Sequence, residues 1–483
     1  MNVDYLRQAF HEDAQLAGPP PADPYESVLA RRQRSDRRRM ASLAAGLAVV
    51  MVAVAVPLGL SFVGKRDAQV AAPPPTPAAD VFSGPTRGSL AGEADFLTAL
   101  TQLSWIHPSQ FPGDDPMFPN PPVETRHVAF AGDVASGRWA FIVGPNTTQP
   151  TGDAADPDLQ TDLGALSDLA GAWFVGPAGA TPEQMTLVTI PRGFLPDMPA
   201  SLYNGLTGAL VVLGAPADFI EVSARPEVVA DATVSRSYAD TETTEGLAVL
   251  TVAPNAYAAS AGMPAVQYRV TRGGVVVAEQ VPDSYNDPSN DEVPPDLVLE
   301  YLRAPEVPPG LEQEMDQHLA AEMVSEYGLT PDQLNLRVHY SGPAPGTGLV
   351  AAVTVVTATF PSGAVLTRAI WMELFSDGGS GGVGCVDQLS PAGAPAAERI
   401  IAFRCDRPQT GEQVPDDPKS LLVVLIPSGI GASSAVAVGS AGTSTIPLSD
   451  PGFAVAAFPD GAERVQIVAA DGTVLDEDLI MTA

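Results

Sequence analysis

Residues 40–63 read MASLAAGLAVVMVAVAVPLGLSFV, a run of 24 residues without a charge. No other feature restricts the fold of the chain so strongly. At about 1.5 Å rise per residue, a helix of this length crosses a hydrocarbon core of about 30 Å with some tilt. Pro57 stands inside the run, and transmembrane helices tolerate the resulting kink. The flanks are asymmetric. Arg31, Arg32, Arg34, Arg37, Arg38 and Arg39 precede the run, and Lys65 and Arg66 follow it. The positive-inside rule then places the N-terminus in the cytoplasm and residues 64–483 outside. A cleaved signal peptide fits less well, because about 39 residues would precede its apolar core and that core would exceed the usual 7–15. The expectation is a single-pass protein of the cell membrane, held by an uncleaved signal-anchor.

The charge distribution agrees with that orientation. The formal net charge is −32, yet residues 1–66 hold nine Lys/Arg against six Asp/Glu. That segment is therefore at +3, and residues 67–483 carry −35. So acidic a surface repels nucleic acid and anionic lipid, and neither is expected as a partner of the outer part. The two cysteines, Cys385 and Cys405, both lie far beyond the apolar run. Such sparse thiols past a membrane segment predict one disulfide in an oxidising compartment. It would close a loop with 19 residues between the cysteines, and in the chain-entropy account stabilise the fold by about 3 kcal/mol.

The cytoplasmic stub, residues 1–39, has a pattern of its own. Val3, Leu6, Phe10, Ala14 and Ala17 follow helical spacing. The segment GPPPADPYE breaks that helix. Asp23, Pro24 and Glu26 then read as a cap, first turn and capping-box partner for a second one carrying Tyr25, Val28 and Leu29. An apolar stripe on so short a stub calls for a partner, either the membrane surface or a protein. Leu6, Phe10, Tyr25 and Leu29 are the candidate partner-binding residues.

A short helix, a PPPADPYE break, an arginine cluster, an Ala/Val-rich span and a Pro-rich exit together resemble uncharacterised single-pass membrane proteins of actinobacteria. The layout is also similar to that of membrane anti-sigma factors, which hold a sigma factor inside and sense outside. The likeness covers about the first 90 residues and rests on layout, not on a motif. The stub has His11 but no cysteine, so it lacks the zinc-binding pattern of many anti-sigma domains.

Residues 64–90, with AAPPPTPAAD at 71–80, read as an extended Pro/Ala spacer. A helix is expected over Glu93–Leu103. A hairpin follows at 128–144, with strands at 172–177, 185–190 and 207–216, and a second hairpin at 266–281 around Gly273-Gly274. The polar, Pro-rich stretch 283–298 reads as a boundary. Then a helix over Leu311–Tyr327 opens a similar series: a hairpin at 349–375, strands at 399–405 and 420–429, and a terminal hairpin at 464–479 with Asp471-Gly472 in its turn. SLLVVLIPSG echoes TGALVVLGAP, and RVQIVAADGTVLDEDL echoes VQYRVTRGGVVVAEQV. The predicted architecture is one transmembrane helix plus a β-rich, α+β and sandwich-like outer region, in two tandem related modules at 91–290 and 295–483.

Motifs of chemistry are absent from the sequence. There is no strand-turn-helix nucleophile elbow of the G-x-S-x-G type, no H-E-x-x-H and no C-x-x-C. Lys419 is the only lysine beyond the anchor region and lacks S-x-x-K spacing. His107, His127, His318 and His339 stand too far apart in sequence for a local metal pair, and each reads singly as a satisfied polar side chain. GSGGVG at 379–384 matches G-x-G-x-x-G but lacks the strand-to-helix setting, so it reads as a flexible loop leading to the disulfide. The acidic groups Asp153, Asp156, Asp158, Asp162 and Asp287, Asp291, Glu292, Asp296 read as solvated loops. No catalytic residue, cofactor or metal is expected. Three readings follow: an extracytoplasmic binding or sensing protein with an unidentified envelope or protein partner, a transmembrane regulator acting through the stub, and an envelope enzyme whose site forms only in the fold.

Overall fold

The LVVL motif occurs twice, as Leu210–Leu213 and Leu422–Leu425, and every one of these eight side chains is buried. Alternate residues of a strand point to opposite faces. A strand apolar at every position therefore lies between two layers, and the fold is built around these two strands. The computed structural model describes residues 80–106, 118–147, 167–258, 264–285, 296–308, 311, 314–344, 350–374, 380–407, 419–427, 429–449 and 452–482. All of them fall in one unit, Thr76–Ala483.

The first half opens with helix α1 (Ala94–Leu100). Strands β1 (His127–Val134), β2 (Gly137–Pro145), β3 (Leu169–Gly176), β4 (Thr186–Leu187) and β5 (Arg192–Phe194) follow. Next come β6 (Ala200–Asn204), β7 (Ala209–Leu213), β8 (Phe219–Ser223), β9 (Pro226–Val228) and β10 (Val234–Arg236). The half closes with β11 (Ala239–Asp240), β12 (Leu247–Thr251), β13 (Gln267–Arg272), β14 (Val275–Gln280) and β15 (Asp283–Tyr285). The second half has β16 (Glu300–Tyr301), helix α2 (Met315–Tyr327), β17 (Asn335–Pro343), β18 (Val350–Thr359), β19 (Val365–Leu374) and β20 (Ser380–Ser390). It continues with β21 (Ile401–Asp406), β22 (Ser420–Leu425), β23 (Ala432–Gly439) and β24 (Gly442–Pro447). It ends with β25 (Phe453–Ala457), β26 (Ala462–Ala469) and β27 (Val474–Leu479).

Each half stacks a helix and three larger sheets, and the first also carries a two-stranded β9-β10 sheet. In the first, α1 covers a meander β1-β2-β3-β4, with β5 also on β3. Behind it lie a middle sheet β12-β7-β6-β15 and an outer sheet β11-β8-β13-β14. In the second, α2 covers β16-β17-β18-β19-β20, backed by β21-β22-β25 and then by β24-β23-β26-β27. The orders match strand for strand in the outer sheets. In the middle sheets β15 runs parallel to β6, and Met481 bridges Phe403 of β21 in parallel. Val211 and Leu213 pack with Phe141 and Trp173 of the meander, while Leu210 and Val212 pack with Tyr268 and Val270 of the outer sheet. Val423 and Leu425 likewise join Trp371 and Val355, and Leu422 and Val424 join Val465 and Ile467. Burying one such Val or Leu contributes about 1.5–3 kcal/mol.

The halves meet at the end of α2. Asn255 Nδ2 donates to the Val324 carbonyl at 3.1 Å, and Ala392 N donates to the Ala230 carbonyl at 2.7 Å. Gly328 caps α2 in the left-handed region, φ 59°. A Cβ there would stand 2.7 Å from the Ala265 Cβ, so glycine serves both the cap and the close approach of the halves.

Several expectations are corrected. Residues 80–90, assigned to the spacer, belong to the first core: Val81 and Phe82 are buried, and Arg87 pairs in parallel with Phe130. The supposed flexible loop at 379–384 is a strand from Ser380 onward, paired with β19 from Leu374↔Ser380 to Val365↔Ser390. Helix α2 starts at Met315 and not at Leu311, and α1 spans Ala94–Leu100 and not Glu93–Leu103. The boundary stretch begins inside the first half, since Asp283–Tyr285 pair with β6. The stub with Leu6, Phe10, Tyr25 and Leu29, the arginines Arg31 to Arg39, the apolar run and residues 64–79 lie outside the described residues, as do His107 and seven of the eight loop carboxylates, all but Asp296. Among the described residues no helix is long and apolar enough to cross a membrane.

Candidate functional site

The matching strand orders allow the halves to be compared position by position. β1 has a bulge between Val128 and Phe130, and β17 has one between Val338 and Tyr340. Ala129 of the first half thus corresponds to His339 of the second. Arg87, partner of Phe130, corresponds to Arg303, which follows Leu302, whose N–H donates to the Val338 carbonyl. Ala200 pairs with Leu213 and Ile401 with Leu425, so Met198 corresponds to Arg399. The residue after each LVVL strand, Gly214 or Ile426, donates its N–H to the carbonyl of a left-handed glycine, Gly246 at 2.7 Å or Gly452 at 3.0 Å.

In both halves an arginine, buried in the first and half-buried in the second, reaches the same backbone carbonyl. Arg87 donates from Nη1 to Gly214 O at 2.6 Å and Glu245 O at 3.1 Å, and from Nη2 to Val81 O at 2.8 Å. Burial lowers its pKa, opposed by Glu245 and Asp218. Arg303 donates from Nη2 to Ile426 O at 2.6 Å and from Nη1 to His339 O at 2.7 Å.

Around Arg303 the joint between sheets is hollow. A cavity of about 110 Å³ is lined by Arg303, His339, Arg399, Leu302, Leu425 and Ile426, together with two small apolar residues. His339 is 3% exposed, and its Nε2 lies 3.0 Å from Thr357 Oγ1. Burial first, then Arg303 and Arg337, pushes its pKa down to about 4, so the ring is neutral near pH 7. The Arg399 side chain is held by loop carbonyls, Nε to Ala394 O and Nη2 to Pro391 O, each at 2.8 Å. Burial lowers its pKa and Asp478 raises it. The lining offers two guanidiniums and a neutral imidazole, and no carboxylate, hydroxyl or thiol. Such a set binds electron-rich oxygen, and it contains no hydroxyl, thiol or carboxylic acid.

The remaining sequence-predicted residues are structural where described. Cys385 of β20 and Cys405 of β21 form a disulfide, joining the meander to the middle sheet. His127 Nε2 is 2.9 Å from Gly84 O. His318 is 3.5 Å from Glu322 Oε1. Buried ion pairs link Arg272 to Asp218 and Arg407 to Glu373, and Arg368 meets Glu322, Glu326 and Asp387. Among the described residues no group of His, Cys, Asp and Glu is arranged to hold a metal. Neither Arg303 nor Arg399 stands out in the sequence. The signal that finds them is the difference between halves: Ala129 and Met198 in one, His339 and Arg399 in the other.

No family model matches the chain, and no curated protein matches it.

Proposed function

We propose that the chain is a membrane-anchored, extracytoplasmic binding protein. It crosses the membrane once through residues 40–63, with the arginines Arg31 to Arg39 on the cytoplasmic side and an acidic folded part outside. That part consists of two tandem related modules on a common scaffold, and the joint at Arg303 of the second encloses a cavity. The observation that carries the binding role is the cavity at Arg303, His339 and Arg399, because the corresponding positions in the first half hold Ala129 and Met198. The Cys385–Cys405 disulfide supports an oxidising compartment.

The address is tested by cysteine labelling in intact bacterial cells that express the chain. A membrane-impermeant maleimide is expected to label Thr443→Cys, an exposed position in the folded part, and to leave Ala22→Cys unlabelled. The opposite pattern overturns the orientation. A second reading, regulation through the stub, is favoured by the helical spacing of Leu6 and Phe10 with Val3, Ala14 and Ala17. Loss of a cytoplasmic partner on Leu6→Asp/Phe10→Asp supports it, and an unchanged complex removes these residues from the role.

A further inference from the structure

The geometry points to a small oxyanion, of the size of inorganic phosphate, as the ligand of the Arg303–His339–Arg399 cavity. This rests on the reading of the chain as a binding protein and narrows it to a chemical class. Three observations carry it. The first is size. A cavity of about 110 Å³ accommodates a few waters or one compact ion, whereas sites for drug-sized organic ligands measure about 300–1,000 Å³. The second is charge. Two guanidiniums and one imidazole line the space without a carboxylate among them, and a guanidinium is the side chain best shaped to grip an oxyanion. Asp478 acts on Arg399 from outside the lining.

The third is the comparison between halves. Arg87 spends its guanidinium on three backbone carbonyls at 2.6–3.1 Å, and by strand register Ala129 and Met198 hold the positions of His339 and Arg399. The architecture therefore needs one arginine there, and the first half supplies it. The second cation and the imidazole are additional, and they converge from different elements: Arg303 after β16, His339 at the bulge of β17, and Arg399 just before β21. Each is anchored by backbone or side-chain hydrogen bonds. An oxyanion placed among them accepts from three directions at once. The imidazole can donate as the neutral ring once its tautomer is set by the anion.

The experiment uses the full chain in non-ionic detergent at constant ionic strength and near pH 7. Inorganic phosphate is titrated calorimetrically into the wild type, Arg399→Met and Arg399→Lys, with chloride replacing phosphate as the control. Met occupies the corresponding place in the first half, so Arg399→Met is compatible with the scaffold, and an unchanged melting temperature without ligand checks this. The expected result is saturable one-site binding in the wild type, at least tenfold weaker in Arg399→Met and partly restored in Arg399→Lys. A parallel titration with glycerol phosphate distinguishes sources. Binding of both ions means that a terminal phosphoryl group enters, and binding of phosphate alone means a free ion. No saturable heat, equal affinity in Arg399→Met, or equal competition by chloride overturns the proposal. The labelling pattern at Thr443→Cys and Ala22→Cys is independent of these titrations, so failure of the ligand class and failure of the address are read separately.

Discussion

His339 is a buried base held neutral, and this gives the protein an acid-sensitive step. Its pKa in the fold is about 4, depressed by burial and by Arg303 and Arg337, against an unfolded value of about 6.5. The unfolded chain therefore binds the extra proton between these limits. Stability from this group is complete above about pH 6.5 and is lost as pH falls toward 4, by at most about 3 kcal/mol. Urea denaturation at pH 7, 5.5 and 4.5 is expected to show that loss, and His339→Gln to flatten it. An unchanged slope in the variant would assign the acid sensitivity to other groups. Arg87 makes a contrasting prediction. Its removal leaves three carbonyls without their donor, so Arg87→Met is expected to destabilise by about 3 kcal/mol, far more than Arg399→Met, as read from urea midpoints. The site was barely legible in the sequence. Arg303 and His339 are 36 positions apart, and His339 and Arg399 are 60. Only strand register brings them together, and no local spacing encodes it. His339 was visible merely as one polar residue in a strand.

At the scale of elements the sequence was far more informative, because burial on two faces leaves a local trace. LVVL reads as a fully buried strand, and both copies are central strands whose residues alternate between two cores. Leu210→Ala and Leu422→Ala are each expected to cost about 2–5 kcal/mol in chemical denaturation. A cost under 1 kcal/mol at either position would contradict its place between layers. The hairpins at β1–β2, β13–β14 and β18–β19 were legible from apolar arms around turn residues, with Gly273, Gly274 and Gly363 supplying positive φ in two of the turns. The strand β20 was not. Its glycines lower strand propensity, and what overrides that preference is pairing along the whole length of β19, a nonlocal fact. Strand β27, VLDEDL, is exposed at every position, so it was legible through its echo of the 266–281 hairpin and not through a burial pattern. Its run of three acidic residues suits an edge strand that must not recruit another chain.

Over the whole molecule, contacts between the two halves include those at the end of α2 and the packing of Val228 and Tyr257 on the second core. Gly328→Val combines an unfavourable left-handed backbone with a Cβ directed at Ala265. It is expected to lower the melting temperature and to split a single calorimetric transition into two as the halves lose their joint. A single transition at the wild-type temperature would show that the halves do not depend on this approach. The echo of hairpin and LVVL strand at an offset of about 200 residues was visible in the sequence. The N-terminal limit of the first half was not, because Val81 and Phe82 sit next to a Pro/Ala stretch that hides two core residues in a spacer-like composition.

The presence of two corresponding arginine joints in one chain, one of them beside a cavity, has a practical consequence. Gly214 and Ile426 are backbone reporters of the same place in the two halves, each beside its own arginine. An amide probe at Gly214 senses everything that temperature, salt and detergent do to this architecture, and one at Ile426 senses the same plus whatever enters the cavity. The difference between the two signals, taken from a single sample, isolates occupancy from background, so the molecule contains its own blank.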